Sequence, residues 1–330
     1  MELIYPVPSG LTISPSAGPE LTTPGNKSNF YFMAGPLVVR VRLKGISAAD
    51  SSLNASRLRR GLEAGFKSLL GASSAADAVR ALFSPSDKVG LKINTIAGRS
   101  LSTRPEVSLA LAGLLAENGP ELKNILIWDR TNRELKEAGY RLNLLDKGPK
   151  VLGTDTSGFG YDPEIVSHLN IGSRFSTIQS QSTTAVVSLA LLKDHGTAGL
   201  TAGMKNYYGT IHNPNKYHDT NCDPYVAELF DTPLVKPKHK LTIIDGLLVQ
   251  YHRGPSYHKR WAEPCDVLLF SRDAVAADLI GWTIIEELRA RHGLPTLKED
   301  GREPTYLFTA AKMGLGTARK ESLSLVEVEA

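Results

Sequence analysis

AVVSLALL (residues 185–192) runs without a break into KDHGTAGLTAGMKNYYGTIHNPNKYHD (193–219). The first segment is an apolar run containing the β-branched pair Val186 and Val187, which reads as a buried strand. The second packs three histidines, three lysines and four glycines into 27 residues. A polar cluster that begins where a strand leaves a sheet is the usual place for a binding site in an open α/β protein. Gly196, Gly199, Gly203 and Gly209 let the backbone approach a ligand or adopt positive φ.

Strand and helix signals alternate outward from this point. LVVRV (37–41) predicts a strand and residues 55–70 a helix; VGLKIN (89–94) predicts a second strand. Thr103 and Glu106 have capping-box spacing, with Pro105 in the first turn. Val107, Ala110, Leu111, Leu114 and Leu115 then form one apolar helical face, ended by Gly119. NILIWD (124–129) predicts a strand, followed by a short helix over 133–138 that stops at Gly139. Further along, LTIID (241–245) and VLLFS (267–271) read as strands, and 274–291 as a long helix closed by Gly293. Such alternation favours a mostly parallel, Rossmann-like α/β sheet with helices on both faces. Five strand candidates end in polar residues: Asn94, Asp129, Lys193 with Asp194 and His195, Asp245, and Arg272 with Asp273. In a parallel sheet these ends share one rim and one cleft.

The domain expectation is an irregular extension over 1–35, rich in Pro, Gly, Ser and Thr, then one α/β domain over 36–330. Sub-lobes of about 36–180 and 181–330 could enclose the cleft. The 38 basic and 34 acidic residues are nearly balanced and not blocked into a tail, which argues against nucleic acid as a partner. Two cysteines, Cys222 and Cys265, exclude an iron–sulfur set. No apolar stretch approaches the roughly 18–20 residues needed to span a bilayer, and no Lys or Arg precedes Lys27 as a signal peptide would require. The chain as given reads as cytoplasmic, with an exported mature form as the alternative.

Within the cluster, His195 is the candidate for proton transfer, because imidazole takes and gives a proton near neutrality. Lys205, in Gly203-Met-Lys-Asn-Tyr-Tyr208, can hold a phosphate or carboxylate or form an imine in a desolvated pocket. Lys193 and Asn206 belong to the same ligand-binding group. His212 and His218, the latter followed by Asp219, are candidate ligands for a divalent metal such as nickel, zinc or iron. Their six-residue gap matches no zinc signature. Arg104, on the first turn of a helix, joins Asn94 and Thr95 as a candidate anion contact. Asp129 and Arg130 end the next strand and either bind substrate or cap the following helix. GxxxxGK and GxGxxG are absent, so no conventional NAD or ATP site is expected.

DKVGLKIN, STRPE, IWDRTNRELKEAGY and above all GMKNYYGTIHNPNKYHD resemble the bacterial and archaeal domain-of-unknown-function family 362, over roughly residues 55–325. Many members of that family carry a twin-arginine leader or a ferredoxin module, and neither is expected here. More distantly, His195-Gly-Thr-Ala-Gly199-Leu-Thr-Ala-Gly203-Met-Lys205 is similar to a pattern in the lactate racemase family, as Thr103-Arg104-Pro105 is to its helix start. This resemblance implies that His195 is an acid/base, that Lys205 anchors a nickel-pincer nucleotide, and that His218 or His212 ligates the metal. The racemases' second catalytic histidine corresponds here to the stretch Thr131-Asn132-Arg133. One of two opposed proton-transfer groups is then absent, which implies elimination, isomerisation or redox chemistry in preference to racemisation.

The expectation is therefore an enzyme of the isomerase, lyase or oxidoreductase kind acting on a small anionic molecule. His195 would transfer the proton and face Lys205 across the ligand. The alternative is a non-catalytic binding protein for a metal or an organic anion.

Overall fold

The computed structural model describes residues 35–46 and 54–330. The expected irregular extension lies, but for Gly35, outside the described residues. The elements in chain order are β1 (Leu37–Arg42), α1 (Ala55–Leu70), α2 (Ala75–Leu82), β2 (Val89–Lys92), α3 (Pro105–Asn118), β3 (Ile125–Asp129), α4 (Asn132–Glu137) and β4 (Lys150–Gly153). They continue with β5 (Val166–His168), β6 (Ile171–Ser173), β7 (Ala185–His195), β8 (Gly199–Thr201), α5 (Tyr225–Asp231), β9 (His239–Gln250), β10 (Ala262–Ser271), α6 (Ala274–Arg291), α7 (Tyr306–Lys312) and β11 (Ser324–Glu329).

The main sheet has the order β11-β1-β10-β9-β7-β2-β3-β4, with β8 folded back on β7. Pairing is parallel through β9, β7, β2, β3 and β4 and between β1 and β11. Only β10 and the short β8 run against the rest. This is a mostly parallel, Rossmann-like α/β fold. The parallel centre explains the unbroken apolar runs: every residue of β2, β3 and β7 is buried, as strands covered on both faces must be.

Alternation along β7 divides the core. Val187 and Leu189 pack with residues of α1, α2 and α3 on one face, while Val186 and Leu192 pack with α5, α6 and α7 on the other. Local signals start the helices. The Asn54 side chain accepts from Arg57 N at α1, and Asp273 accepts from Ala276 N at α6. Among the described residues, no helix is long and apolar enough to cross a membrane.

Three sequence expectations are corrected. Thr103 does not cap α3; Arg104 occupies the cap position and makes no side-chain cap bond. The Thr103 hydroxyl instead accepts from Asn94 N (3.1 Å) and donates to Leu189 O (3.2 Å), tying the loop after β2 to β7. Arg272 and Asp273 do not share the rim of the other strand ends, because β10 is antiparallel to β9 and pairs Ser271 with Thr242. Asp245 is not a strand end: β9 continues to Gln250, and Asp245 pairs in register with Leu191.

Candidate functional site

The carboxyl ends of β2, β3 and β7 form the floor of a cavity of about 340 Å³. The chain from Lys205 to His218 walls one side, and Pro255, in the turn between β9 and β10, lies at its lip. Ile96, 55% exposed, adds an apolar side chain at the mouth.

A fully bonded polar layer lies at the base. Lys92 Nζ donates to Asp129 Oδ1 (2.7 Å), Ile93 O (2.7 Å) and Asn206 Oδ1 (3.3 Å). The second carboxylate oxygen of Asp129 accepts from the backbone N–H and the hydroxyl of Thr95, both at 2.8 Å. Asn206 in turn donates to Lys92 O and to the Ser188 hydroxyl. Such a network costs little once every member is bonded and fixes the positions of its parts. Gly209 leaves room for it, since a Cβ there would lie 2.5 Å from Lys92 Nζ and would displace the ammonium.

Above this layer stand two lysines that, among the described residues, form no ion pair. Lys193 Nζ donates to Asn94 Oδ1 at 3.1 Å, and burial pushes its ammonium down to about 7, with Asp129 opposing and Lys205 assisting. Lys205 Nζ lies 3.2 Å from His218 Nε2 and 4.2 Å from the centre of the Tyr208 ring. Burial pushes it down to about 8. An ammonium removed from water without an ion-pair partner loses more solvation than these contacts return, which is why both amines titrate low.

The two histidines have distinct tautomers. His195 Nδ1 accepts from the backbone N–H of Thr197 and Ala198, each at 3.1 Å, so its hydrogen sits on Nε2. Burial, then the nearby Lys205, the His218 ring and Lys193, depress the imidazolium of His195 to about 2. This ring is a neutral hydrogen-bond donor. His218 is the converse. Its Nδ1 lies 3.0 Å from Pro214 O, which can only accept, so Nδ1 carries the hydrogen and the Nε2 lone pair faces Lys205. The two rings stack at 5.3 Å between centroids.

Distant elements hold these parts in place. Asp278 on α6 accepts from Gly203 N (2.7 Å) and Met204 N (3.0 Å), fixing the chain just before Lys205. A Cβ on Gly203 would meet Thr242 Cγ2 at 2.4 Å. Asp194, fully buried, accepts from Arg302 Nη1 (2.7 Å) and Gly254 N (2.8 Å), and Arg302 also bonds His195 O. Arg289 and Asp300 complete this network. It clamps the turn carrying Pro255 onto the end of β7.

Of the residues singled out by sequence, Asn94, Asp129, Arg130, Lys193, His195, Lys205, Asn206 and His218 line the cavity. Thr95 is buried behind Asp129. Arg104 is not on the wall; it lies near Asp245, whose carboxyl is raised by burial against the opposing Leu247 N–H and Arg104. His212 does not join His218: it is exposed and packs edge-on against Tyr161, 5.1 Å between centroids. Among the described residues, no three or more His, Cys, Asp or Glu side chains come together as a metal-binding group. His195 and Lys205 do share the cavity, with His218 in contact with both. Sequence reasoning missed Lys92, although a lysine inside the apolar run VGLKIN was the available signal. It also missed Asp278 and Arg302, which no local pattern marks.

Comparison with known proteins places this site inside a matched region. The family described as Domain of unknown function (DUF362) matches residues 89–283, more than half of the chain and all of the cavity wall from Lys92 to Pro255. The Thylakoid-associated protein sll1697 of Synechocystis sp. is 25% identical over 217 residues, 61% of this chain. The match spans 64% of that relative, less than two thirds of its length. A crystal structure of a protein from Thermotoga maritima aligns with a TM-score of 0.40 and 10% identity, over 73% of this chain and 60% of that one.

Proposed function

We propose that this chain, which belongs to the DUF362 family, is an enzyme that binds a small organic anion and moves a proton on it. The observation that carries this reading is the pair of buried amines, Lys193 and Lys205, facing one cavity without a carboxylate partner among the described residues. An anion would supply the missing counter-charge, and the low dielectric of the site would strengthen the contact. The neutral His195 Nε2–H and Asn94 are placed to orient the bound group. His218 Nε2, whose lone pair faces Lys205, takes the part of proton acceptor in place of His195. A single acceptor on one side fits elimination or isomerisation better than racemisation.

Binding is tested by calorimetry and thermal shift across small carboxylates and phosphate. At least one should stabilise the protein, and Lys193→Met should weaken it about tenfold or more, the range for a lost charge-assisted contact. If none stabilises the protein at millimolar concentration, the anion reading fails. Catalysis separates from mere binding by NMR-detected uptake of solvent deuterium into the bound acid. His218→Ala should abolish uptake and retain affinity; an acid that binds without exchanging in the wild type supports the non-catalytic alternative.

One observation favours a second reading, in which the site carries a group like that of the lactate racemases. Lys205 Nζ and His218 Nε2 stand together in the cavity, as the lysine anchor and histidine ligand of such a group would. Lys205 would hold a nickel-pincer nucleotide through its amine and His218 would ligate the metal, which would supply a metal centre to the substrate. Among the described residues, no cluster of three or more His, Cys, Asp or Glu side chains stands there beside His218. Elemental analysis and intact mass of protein from its native host decide it: stoichiometric nickel with added mass on Lys205 supports the second reading, and unmodified metal-free chain removes it.

A further inference from the structure

Three lysines reach the cavity, and their hydrogen-bond partners separate their chemistry. The Lys92 ammonium is locked in an ion pair with Asp129. Lys193 donates to the amide oxygen of Asn94, which cannot take a proton away. Lys205 alone of the three donates to a basic nitrogen, His218 Nε2, with the tautomer of that ring set by Pro214 O. A nucleophilic amine needs a desolvated pocket and a neighbouring base, and Lys205 has both. The groups around it are His218, His195, Lys193, Tyr208 and Cys222; none is a carboxylate that would hold the ammonium charged.

We propose that Lys205 forms an imine with small 2-oxo acids, the substrate carboxylate lying against Lys193 and the His195 Nε2–H. This rests on the reading of the cavity as an organic-anion site and names the substrate class and the bond made there. His218 Nε2 takes a proton from the Lys205 ammonium, and the free amine adds to the carbonyl carbon. The carbonyl oxygen receives that proton back from His218, giving a carbinolamine. Loss of water, with the second amine hydrogen leaving on it, yields the protonated imine. The balance is one ammonium plus one carbonyl giving one iminium plus one water, with no oxidant or reductant. The iminium then draws electrons from the adjacent carbon and labilises its C–H or C–C bond. A 2-oxo acid fits better than a simple aldehyde or ketone because Lys193 provides the counter-charge for a carboxylate next to the reacting carbonyl.

The test uses the full chain with pyruvate and sodium cyanoborohydride, read by intact mass and peptide mapping, beside thermal shift with pyruvate alone. The expected result is a single reduced pyruvate unit on Lys205, and thermal stabilisation by pyruvate without reductant. Lys205→Arg should lose the adduct while keeping the stabilisation. His218→Ala should slow trapping about 100-fold at neutral pH, the usual contribution of a positioned base, and recover as the pH is raised and the amine loses its proton unaided. Stabilisation by pyruvate with no adduct, or with adducts only on other lysines, overturns the imine and leaves the anion site standing. Neither stabilisation nor adduct overturns the imine with 2-oxo acids, and the anion reading falls with it only when the other carboxylates and phosphate also fail to stabilise the protein.

Discussion

Lys193 shows most directly what burial does to a single residue. Its side chain is buried at the cavity wall and its amine sits near 7 in the folded protein, against about 10.4 for an unfolded chain. Between these values the unfolded state binds the extra proton, so this residue makes stability rise as the pH rises through that window. Lys193→Met should therefore raise the thermal midpoint at pH values below 7 and flatten its rise towards alkaline pH. An unchanged pH profile would mean that the amine is solvated. The same logic run for imidazole applies to His195 and His239, depressed by burial to about 2 and about 3. Their ring resonances should show no imidazolium shift on titration from neutrality to about pH 4, well below the ordinary histidine midpoint.

At the level of elements, the site depends on two clamps made over long sequence distances. Asp278 on α6 holds the backbone of Gly203 and Met204, so Asp278→Ala leaves two buried N–H groups without that acceptor. The expected loss is about 1–3 kcal/mol per unsatisfied group, read by denaturant unfolding, with weakened anion binding because Lys205 follows directly. Wild-type stability with unchanged affinity would show that the turn holds without α6. Asp194 clamps the β9–β10 turn through Gly254 and is itself paired with Arg302. Removing one partner of a buried ion pair costs about 3–5 kcal/mol, and Asp194→Ala should show it. Amide exchange over residues 252–258 should accelerate in that variant. Gly254→Ala should act on the same turn by another route, since its Cβ would lie 1.8 Å from Asp194 O.

For the molecule as a whole, the parallel centre of the sheet does the positioning. Strands β2, β3 and β7 run in one direction and in register, Lys92 beside both Trp128 and Ser188, so their polar ends arrive at one level. Acid stability should reflect the buried neutral histidines. Below about 6.5 the unfolded chain protonates His195 and His239 while the folded protein does not, so their contribution falls with the pH. Asp278, raised by burial to about 7, acts in the opposite sense, because its carboxyl holds a proton in the folded state that the unfolded chain gives up. In Asp278→Asn the acid limb should steepen relative to wild type, measured as thermal midpoint against pH; a parallel curve would place that carboxyl in solvent.

Much of this was legible in the chain itself. The apolar runs at 89–94, 124–129 and 185–192 determine buried strands, and a polar cluster after such a run determines that Lys193, His195 and Lys205 lie near the carboxyl end of a strand, which is the central β7. Both readings follow from local burial and from the period of the backbone. Strand direction was not legible. The hairpin that turns β10 against β9 moves Arg272 and Asp273 to the far rim, and apolar content is the same for either direction. Nor could spacing tell His218 from His212, since the fold stacks one on His195 and leaves the other against Tyr161. Tertiary structure alone set the chemical state of the groups. The hydrogen on His195 depends on two backbone amides, that on His218 on a carbonyl, and the low amines on missing counter-charges. The clamps come from Asp278 and Arg302, 75 and 107 residues from the Gly203 and His195 backbone they hold. A protonation state is a property of the space around a group, and that space exists only once the chain has folded.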